Sequence, residues 1–451
     1  MKNVILSIFL LLSFNFSFAQ VVIINDSNIQ EGKAILLSLS GEKVILVDSI
    51  TILQKNTIQF KLDNDHSGIY RLTFSNSKSI YFIYEDDEDV ELEVNISDLA
   101  ESIEVIESRS NKIYYDFIRL NKTYKSKTEL LQLVLAHYPK DDDYFQTTKE
   151  KLLQIQEEYL QFVNITSQAD PNTFIARYVK SSQLPVVESK IPFDQQLNYL
   201  KMHALDNVDF NDEELIYSDA FTNKTIEYLT YYSKPQLPLE LLEKEFMVAV
   251  DSVLNKAKVK ETVYQHVVEY LIDGFKNFGF DNVINYIVEN YVIKDDLCLN
   301  EKLENSLERR IEQTRNFKIG SIVPDIIISD SSDAKFGLDH LTSEKILILF
   351  YASWCTHCQS LIQQLIVLYE NQKEKQTEVV AVSIDTSKAE LINFLNKNNA
   401  KWIHVADLKG WNGKAPSDYF LYATPTMFLI DKEKKIIAKP LTVDELKSWF
   451  R

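Results

Sequence analysis

Ile346-Leu-Ile-Leu-Phe-Tyr-Ala-Ser-Trp-Cys-Thr-His-Cys-Gln359 is the stretch whose reading decides the fold. An apolar, β-prone run ends in Tyr351, and Cys355 and Cys358 follow where a helix should begin. Free backbone N–H groups and the helix dipole at such a start favour a thiolate over a thiol. The thiolate is the species that attacks a disulfide, so Cys355, nearest the helix terminus, is the expected nucleophile. Cys358, one turn in and more shielded, is the expected resolving thiol. With two residues between them, the pair can close an intramolecular disulfide and release a partner held in a mixed disulfide. The spacing predicts two-electron chemistry on a strand-to-helix turn, with no cofactor.

Other uses of two cysteines at this spacing carry less. Zinc needs about four ligands, and no second Cys/His pair is spaced to join this one. Covalent haem needs a histidine directly after the second cysteine, where Gln359 stands. A purely structural disulfide stays open, although two-residue loops at helix starts make labile bonds. No metal is therefore expected.

Phe350-Tyr-Ala-Ser-Trp-Cys-Thr-His-Cys358 resembles the active-site segment of the thioredoxin superfamily, in the wording of its exported TlpA/ResA-like members. Ala423-Thr-Pro-Thr-Met-Phe-Leu-Ile-Asp431 resembles the cis-proline loop and following strand of that family. The resemblance implies a cis Thr424–Pro425 bond against the dithiol, whereas sequence alone permits either isomer. Gly320-Ser-Ile-Val-Pro324-Asp is similar to the Gly-x-x-x-Pro entry of TlpA-like and peroxiredoxin-like domains. A peroxidase is not expected, because the thioredoxin phrase occupies the spot and no lone cysteine is framed by threonine.

From there the elements alternate. Strands are expected near 326–328 and at 346–351, 378–384, 426–431 and 436–439, and helices over 356–372, 388–398 and 443–450. Alternation predicts a parallel sheet with helices on both faces and a closing hairpin at its edge. This is the thioredoxin order, an α/β thioredoxin-like fold over residues 317–451.

Thr356 and His357, between the cysteines, set the redox poise. A protonated His357 would stabilise the Cys355 thiolate and make the disulfide more oxidising; the competing reading points it to solvent. The resemblance gives Trp354 a shielding role, Pro425 the shaping of a substrate groove, and Thr424 backbone hydrogen bonds to a bound strand. Departures from the family matter equally. Its buried Asp before the first cysteine is Leu349 here, its Glu past the second is Leu361, and its helix-kinking Pro is Gln363. The usual proton-handling carboxylate is absent, which leaves His357 as the expected titrating neighbour.

The front of the chain reads differently. Lys2, an apolar run from Val4 to Leu12 and Ser17-Phe-Ala19 describe a secretory signal peptide over residues 1–19. The run stops short of the about 20 apolar residues that span a bilayer, and no cysteine follows to carry a lipid. An exported, soluble chain without stable membrane insertion is expected. Over residues 20–107, short apolar runs such as Ala34–Leu39, Thr57–Leu62 and Ser79–Tyr84 recur between turn residues, predicting an all-β, sandwich-like domain. It resembles the β-rich domain that often precedes exported thioredoxin domains. Glu85-Asp-Asp-Glu-Asp89 suits Ca²⁺ by charge, but adjacent side chains diverge and no glycine shapes a loop, so a solvated turn is expected. Residues 108–316 carry apolar positions at helical spacing, including Leu152, Ile155, Tyr159 and Val163, and predict a helical domain broken at Asp170-Pro171 and Ser233-Lys-Pro235. Cys298 is expected to be an idle thiol. Sequons such as Asn95-Ile-Ser97 matter only in a eukaryotic route, and the resemblance points to bacteria.

Net charge is −18, which repels phosphate backbones and argues against nucleic acid. Three cysteines make no disulfide framework in a chain of 451 residues. The combined expectation is an exported thiol-disulfide oxidoreductase of the bacterial periplasm or cell envelope, acting mainly as a reductase. Its partners would be client proteins with disulfides or thiols and, by the resemblance, a membrane-bound electron donor, with cytochrome c maturation as one setting. The alternative is a cell-envelope binding protein whose thioredoxin-like domain is regulatory or weakly active.

Overall fold

A computed structural model describes residues 20–25, 31–41, 43–52, 57–62, 66–75, 78–86, 88–95, 103–188, 191–297, 299, 305–329, 335–371 and 377–450. The expected signal peptide and Cys298 lie outside these. The chain forms two compact units, one up to Val283 and one from Ile284.

The first unit begins with eight strands: β1 (Gln20–Asn25), β2 (Gly32–Ser40), β3 (Lys43–Ile52), β4 (Thr57–Leu62), β5 (Gly68–Thr73), β6 (Ser79–Tyr84), β7 (Val90–Glu93) and β8 (Glu104–Glu107). They form two four-stranded sheets, in the orders β4-β1-β7-β8 and β3-β2-β5-β6. Period-two patterning explains their packing: on β4, Ile58, Phe60 and Leu62 are buried while Thr57, Gln59 and Lys61 are exposed. Both sheets feed one core, which includes Val22 and Phe60 from one and Leu36, Tyr70 and Phe82 from the other.

Helices follow: α1 (Arg109–His137), α2 (Asp143–Ala169), α3 (Phe174–Ser181), α4 (Phe193–His203), α5 (Ala220–Thr230), α6 (Leu239–Ala257), α7 (Glu261–Asn277) and the start of α8 (Asp281–Ile287). Ser108 caps α1 by accepting the Asn111 N–H at 3.0 Å, and Asp142 caps α2 through the Tyr144 N–H at 2.7 Å. Asn111 also closes the β6 edge: its side chain accepts from the Ile83 N–H and donates to the Ile83 carbonyl, both at 2.8 Å.

The acidic run after β6 is solvated only in part: Asp86 and Asp89 are exposed as expected of a turn, Asp87 lies outside the described residues, and Glu85 departs from the expectation. Glu85 is 8% exposed and accepts from the Ser110 hydroxyl at 2.8 Å and the Phe174 N–H at 2.5 Å. Glu88 accepts from the Ser110 N–H at 3.0 Å, and Asp89 from the Val21 N–H at 2.8 Å. Unpaired donors at two helix starts explain why Glu85 is buried and Glu88 half-buried, while Asp89 meets the Val21 N–H at the surface.

The second unit holds α9 (Asn305–Asn316), β9 (Ile327–Ser329), β10 (Lys335–Gly337), β11 (Lys345–Tyr351), α10 (Thr356–Glu370), β12 (Thr377–Ser383), α11 (Lys388–Asn398), β13 (Ile403–Ala406), α12 (Lys414–Asp418), β14 (Thr426–Asp431), β15 (Ile436–Ala438) and α13 (Val443–Leu446). Its five-stranded sheet runs β13-β12-β11-β14-β15. The expected parallel sheet is mixed: β11, β12 and β13 are parallel, whereas β14 is antiparallel to β11. The terminal hairpin therefore contributes an interior strand as well as an edge, because Met427, Phe428, Leu429 and Ile430 are all buried.

The central strand β11 is apolar on both sides. Ile346, Ile348 and Phe350 enter one core cluster, and Leu347, Leu349 and Tyr351 the other. Helix α9 continues the helical periodicity of the preceding stretch but belongs to this unit. Its Gln313 donates to the Tyr419 carbonyl at 2.9 Å, and Arg309 to the carbonyls of Trp411 and Leu421, each at 3.2 Å. Among the described residues, no helix is long and apolar enough to cross a membrane.

Candidate active site

The strand end and helix start bring the two cysteines together at the carboxyl end of β11. Cys355 is the N-cap of α10, and its Sγ accepts the N–H of Cys358 at 3.3 Å. A sulfur thus fills the capping place usually taken by a hydroxyl or carboxylate oxygen, and a thiolate would fill it better than a thiol. The Cys355 S–H also faces the Thr424 carbonyl at 3.5 Å, and the Thr424–Pro425 bond is cis. Cys355 is half-buried and Cys358 fully buried, and the two thiols are not bonded to each other.

Their surroundings separate them chemically. Burial, and then the hydrogen bond with Cys355, push the Cys358 thiol up to about 12. Leu349 and Leu361 join Cys358 in one apolar cluster, so leucines fill the places of the family's carboxylates. Trp354 is 56% exposed, Thr356 and His357 are exposed, and Thr424 and Pro425 are half-buried. All five lie in the turn, at the helix start or in the facing loop, and so border the dithiol.

Sequence reasoning missed other polar groups at this end of the sheet and left His357 as the titrating neighbour. Asp385, just past β12, is fully buried. It accepts from the Ser353 N–H at 3.1 and 3.2 Å, the Ser353 hydroxyl at 2.6 Å and the Ser383 hydroxyl at 2.6 Å. Gln359 holds the other side of the same turn, donating from Nε2 to the Ser353 carbonyl at 2.8 Å. On β11, the buried Tyr351 hydroxyl shares a hydrogen bond with His404 Nδ1 at 3.2 Å. Burial raises the Tyr351 phenol, the Asp385 and Cys358 charges add to this, and burial lowers His404 to about 4. The available signal was a polar residue at the carboxyl end of an apolar strand, the crevice where α/β sheets place their sites. Among the described residues, no group of three or more His, Cys, Asp or Glu is arranged to hold a metal ion.

Comparison with known proteins agrees with this geometry. Residues 319–439 match the AhpC/TSA family. The thiol-disulfide oxidoreductase ResA of Bacillus cereus is 30% identical over 137 residues, which are 30% of this chain and 78% of that protein. The ResA of Bacillus subtilis is 25% identical over 118 residues, 26% of this chain and 64% of that protein. A solved thioredoxin-like protein from Bacteroides caccae is 21% identical, covering 59% of this chain and 96% of its own, at a TM-score of 0.39. Through its C-terminal part the chain belongs to the thioredoxin superfamily, as a TlpA/ResA-like member of the thiol-disulfide oxidoreductases.

Proposed function

We propose that the chain exchanges disulfides with exported client proteins through Cys355 and Cys358, mainly as a reductase. One observation carries the reading: a half-buried Cys355 sulfur caps a helix beside a fully buried Cys358 whose thiol is pushed up to about 12. The Cys355 thiolate attacks one sulfur of a client disulfide; the client's other sulfur leaves as a thiolate and takes up a proton. Cys358 then loses its proton and attacks the Cys355 sulfur. The Cys355–Cys358 disulfide forms and the second client sulfur leaves, so the client gains two electrons and the dithiol loses them. A dithiol donor must restore the pair, and in the TlpA/ResA-like setting that donor is membrane-bound. Trp354 and Pro425 border the client, Thr424 offers backbone hydrogen bonds to it, and Thr356 and His357 adjust the poise.

Export to the periplasm or cell envelope is supported by the pattern of residues 1–19. A β sandwich-like domain at 20–107 is supported by the shared core of the first two sheets, and a helical domain from 108 by the helices that follow; α9 (Asn305–Asn316), expected within the helical domain at 108–316, packs instead in the unit of the thioredoxin-like domain expected at 317–451. The test is to equilibrate the purified chain in glutathione buffers and to challenge a Cys358→Ser variant with a disulfide-bonded protein. Reversible titration of one dithiol, and a mixed disulfide trapped on Cys355, are expected. A titration near about −270 mV fits a reductase, and one near about −120 mV an oxidant. No reversible exchange would overturn the reading and favour a binding protein with an inactive redox domain.

A further inference from the structure

We propose that Asp385 acts as a fixed, buried anion that makes the Cys355–Cys358 couple more reducing, a role the cysteine motif itself does not encode. The inference rests on the reading of that pair as the redox centre. Three donor groups reach the Asp385 carboxylate: the Ser353 N–H, the Ser353 hydroxyl and the Ser383 hydroxyl. The Ser383 oxygen also accepts the Asp385 N–H at 3.0 Å, which leaves its one proton free to point at the carboxylate. Donors gathered on both of its oxygens favour the charged carboxylate over the neutral acid. Among the described residues no cation pairs with it, so the charge is stabilised by dipoles alone and keeps its field.

That field acts on the dithiol. Ser353, which Asp385 grips, stands two residues before Cys355, and the Cys355 N–H donates to the Ala352 carbonyl at 3.2 Å. Tyr351 lies within electrostatic reach of both Asp385 and Cys358. A like charge in a buried setting disfavours the thiolate, whereas the disulfide carries no charge to disfavour. The balance therefore moves toward the disulfide, and the dithiol gives up its electrons more readily. Leu349 and Leu361 leave the motif's usual carboxylate places apolar, so Asp385 supplies negative charge from a neighbouring strand instead.

The experiment measures the glutathione equilibrium of the full chain and of two variants, with the alkylation rate of Cys355 at pH 7 as a second readout. Asp385→Asn keeps the shape and loses the charge. It is expected to move the equilibrium about tenfold toward the dithiol, about 30 mV for two electrons, and to speed alkylation. Ser353→Ala keeps the charge and loses one of the contacts that fix the turn; its equilibrium is expected within about threefold of the parent. If Asp385→Asn does not fold, Asp385→Ser supplies a neutral side chain in less volume and is read in the same way. An unchanged equilibrium in the neutral variant overturns the inference while leaving the dithiol reading intact. Equal shifts in Asp385→Asn and Ser353→Ala overturn it too, since they would make Asp385 a structural pin. Failure of the parent chain to exchange at all removes the dithiol reading, and the inference with it.

Discussion

Glu85 and Asp385 stand at comparable places in the two units. Each follows a strand, β6 in one case and β12 in the other, each is buried, and each accepts from backbone N–H groups. Glu85 gathers Ser110, Phe174 and Ile175, which are distant in sequence, and so ties the strand-bearing segment to the starts of two helices. Asp385 gathers Ser353 and Ser383 and so holds the turn that carries the dithiol. A buried carboxylate is costly unless donors surround it. The same device secures architecture in the first unit and reactive geometry in the second.

The sharpest separation of the two roles is expected from Cys355→Ser. Exchange with a disulfide substrate should fall at least about a thousandfold, as when a nucleophile is removed, while urea unfolding of the first unit stays as it was. Loss of the first unit's stability in that variant would break the comparison.

Glu85→Ala should do the reverse. It leaves the N–H groups of Phe174 and Ile175 without their acceptor, while the Ser110 hydroxyl keeps Glu88 at 2.6 Å; at about 1–3 kcal/mol for each buried group left unpaired, about 3 kcal/mol in all is expected in urea melts. Burial holds the Glu85 carboxyl above its ordinary value of 4.5. The folded state therefore keeps this proton longer than the unfolded chain. That contribution to stability is full below pH 4.5 and fades as pH rises through the higher folded value. Glu85→Gln should flatten this slope, and an unaltered slope would show that another group sets it.

Each unit also holds a half-buried histidine. Burial, and secondarily the Lys43 charge, lower His266 to about 4; burial lowers His404 to about 4. Both bind a proton more weakly folded than unfolded, so their contributions are complete above pH 6.5 and are lost as pH falls toward 4. Each is expected to cost about 2 kcal/mol at pH 5 relative to pH 8. Calorimetry of His266→Gln and His404→Gln at the two pH values reads this unit by unit; acid sensitivity that persists in both would refute it.

The smallest effect is expected from His357→Ala. His357 is exposed, so solvent screens whatever it contributes electrostatically. Its loss should move the glutathione equilibrium toward the disulfide by less than about threefold, less than Asp385→Asn moves it in the other direction. A larger shift from His357 would make the exposed cation, rather than the buried anion, the principal tuning group.

Much of the site was legible before any coordinates. The run Ile346–Tyr351 declared a strand buried on both faces, and the dithiol after it declared a helix start. Less legible was β13, where Ile403-His-Val-Ala is only half-buried and carries a weak pattern. The antiparallel insertion of β14 beside β11 was also invisible, since an apolar run suits either direction. Glu85 looked like one of five surface acids, because a linear pattern does not show which donors approach from residues far along the chain.

By itself, then, the sequence determined the reactive pair, its order and its place at a strand-to-helix turn, because those depend on spacing and on backbone groups within one helical turn. Tertiary structure alone decided the electrostatic setting. Asp385 and His404 reach that end of the sheet only because β12 lies in register beside β11 and β13 in register beside β12. Burial then gives their charges and protons a weight that solvent would otherwise remove.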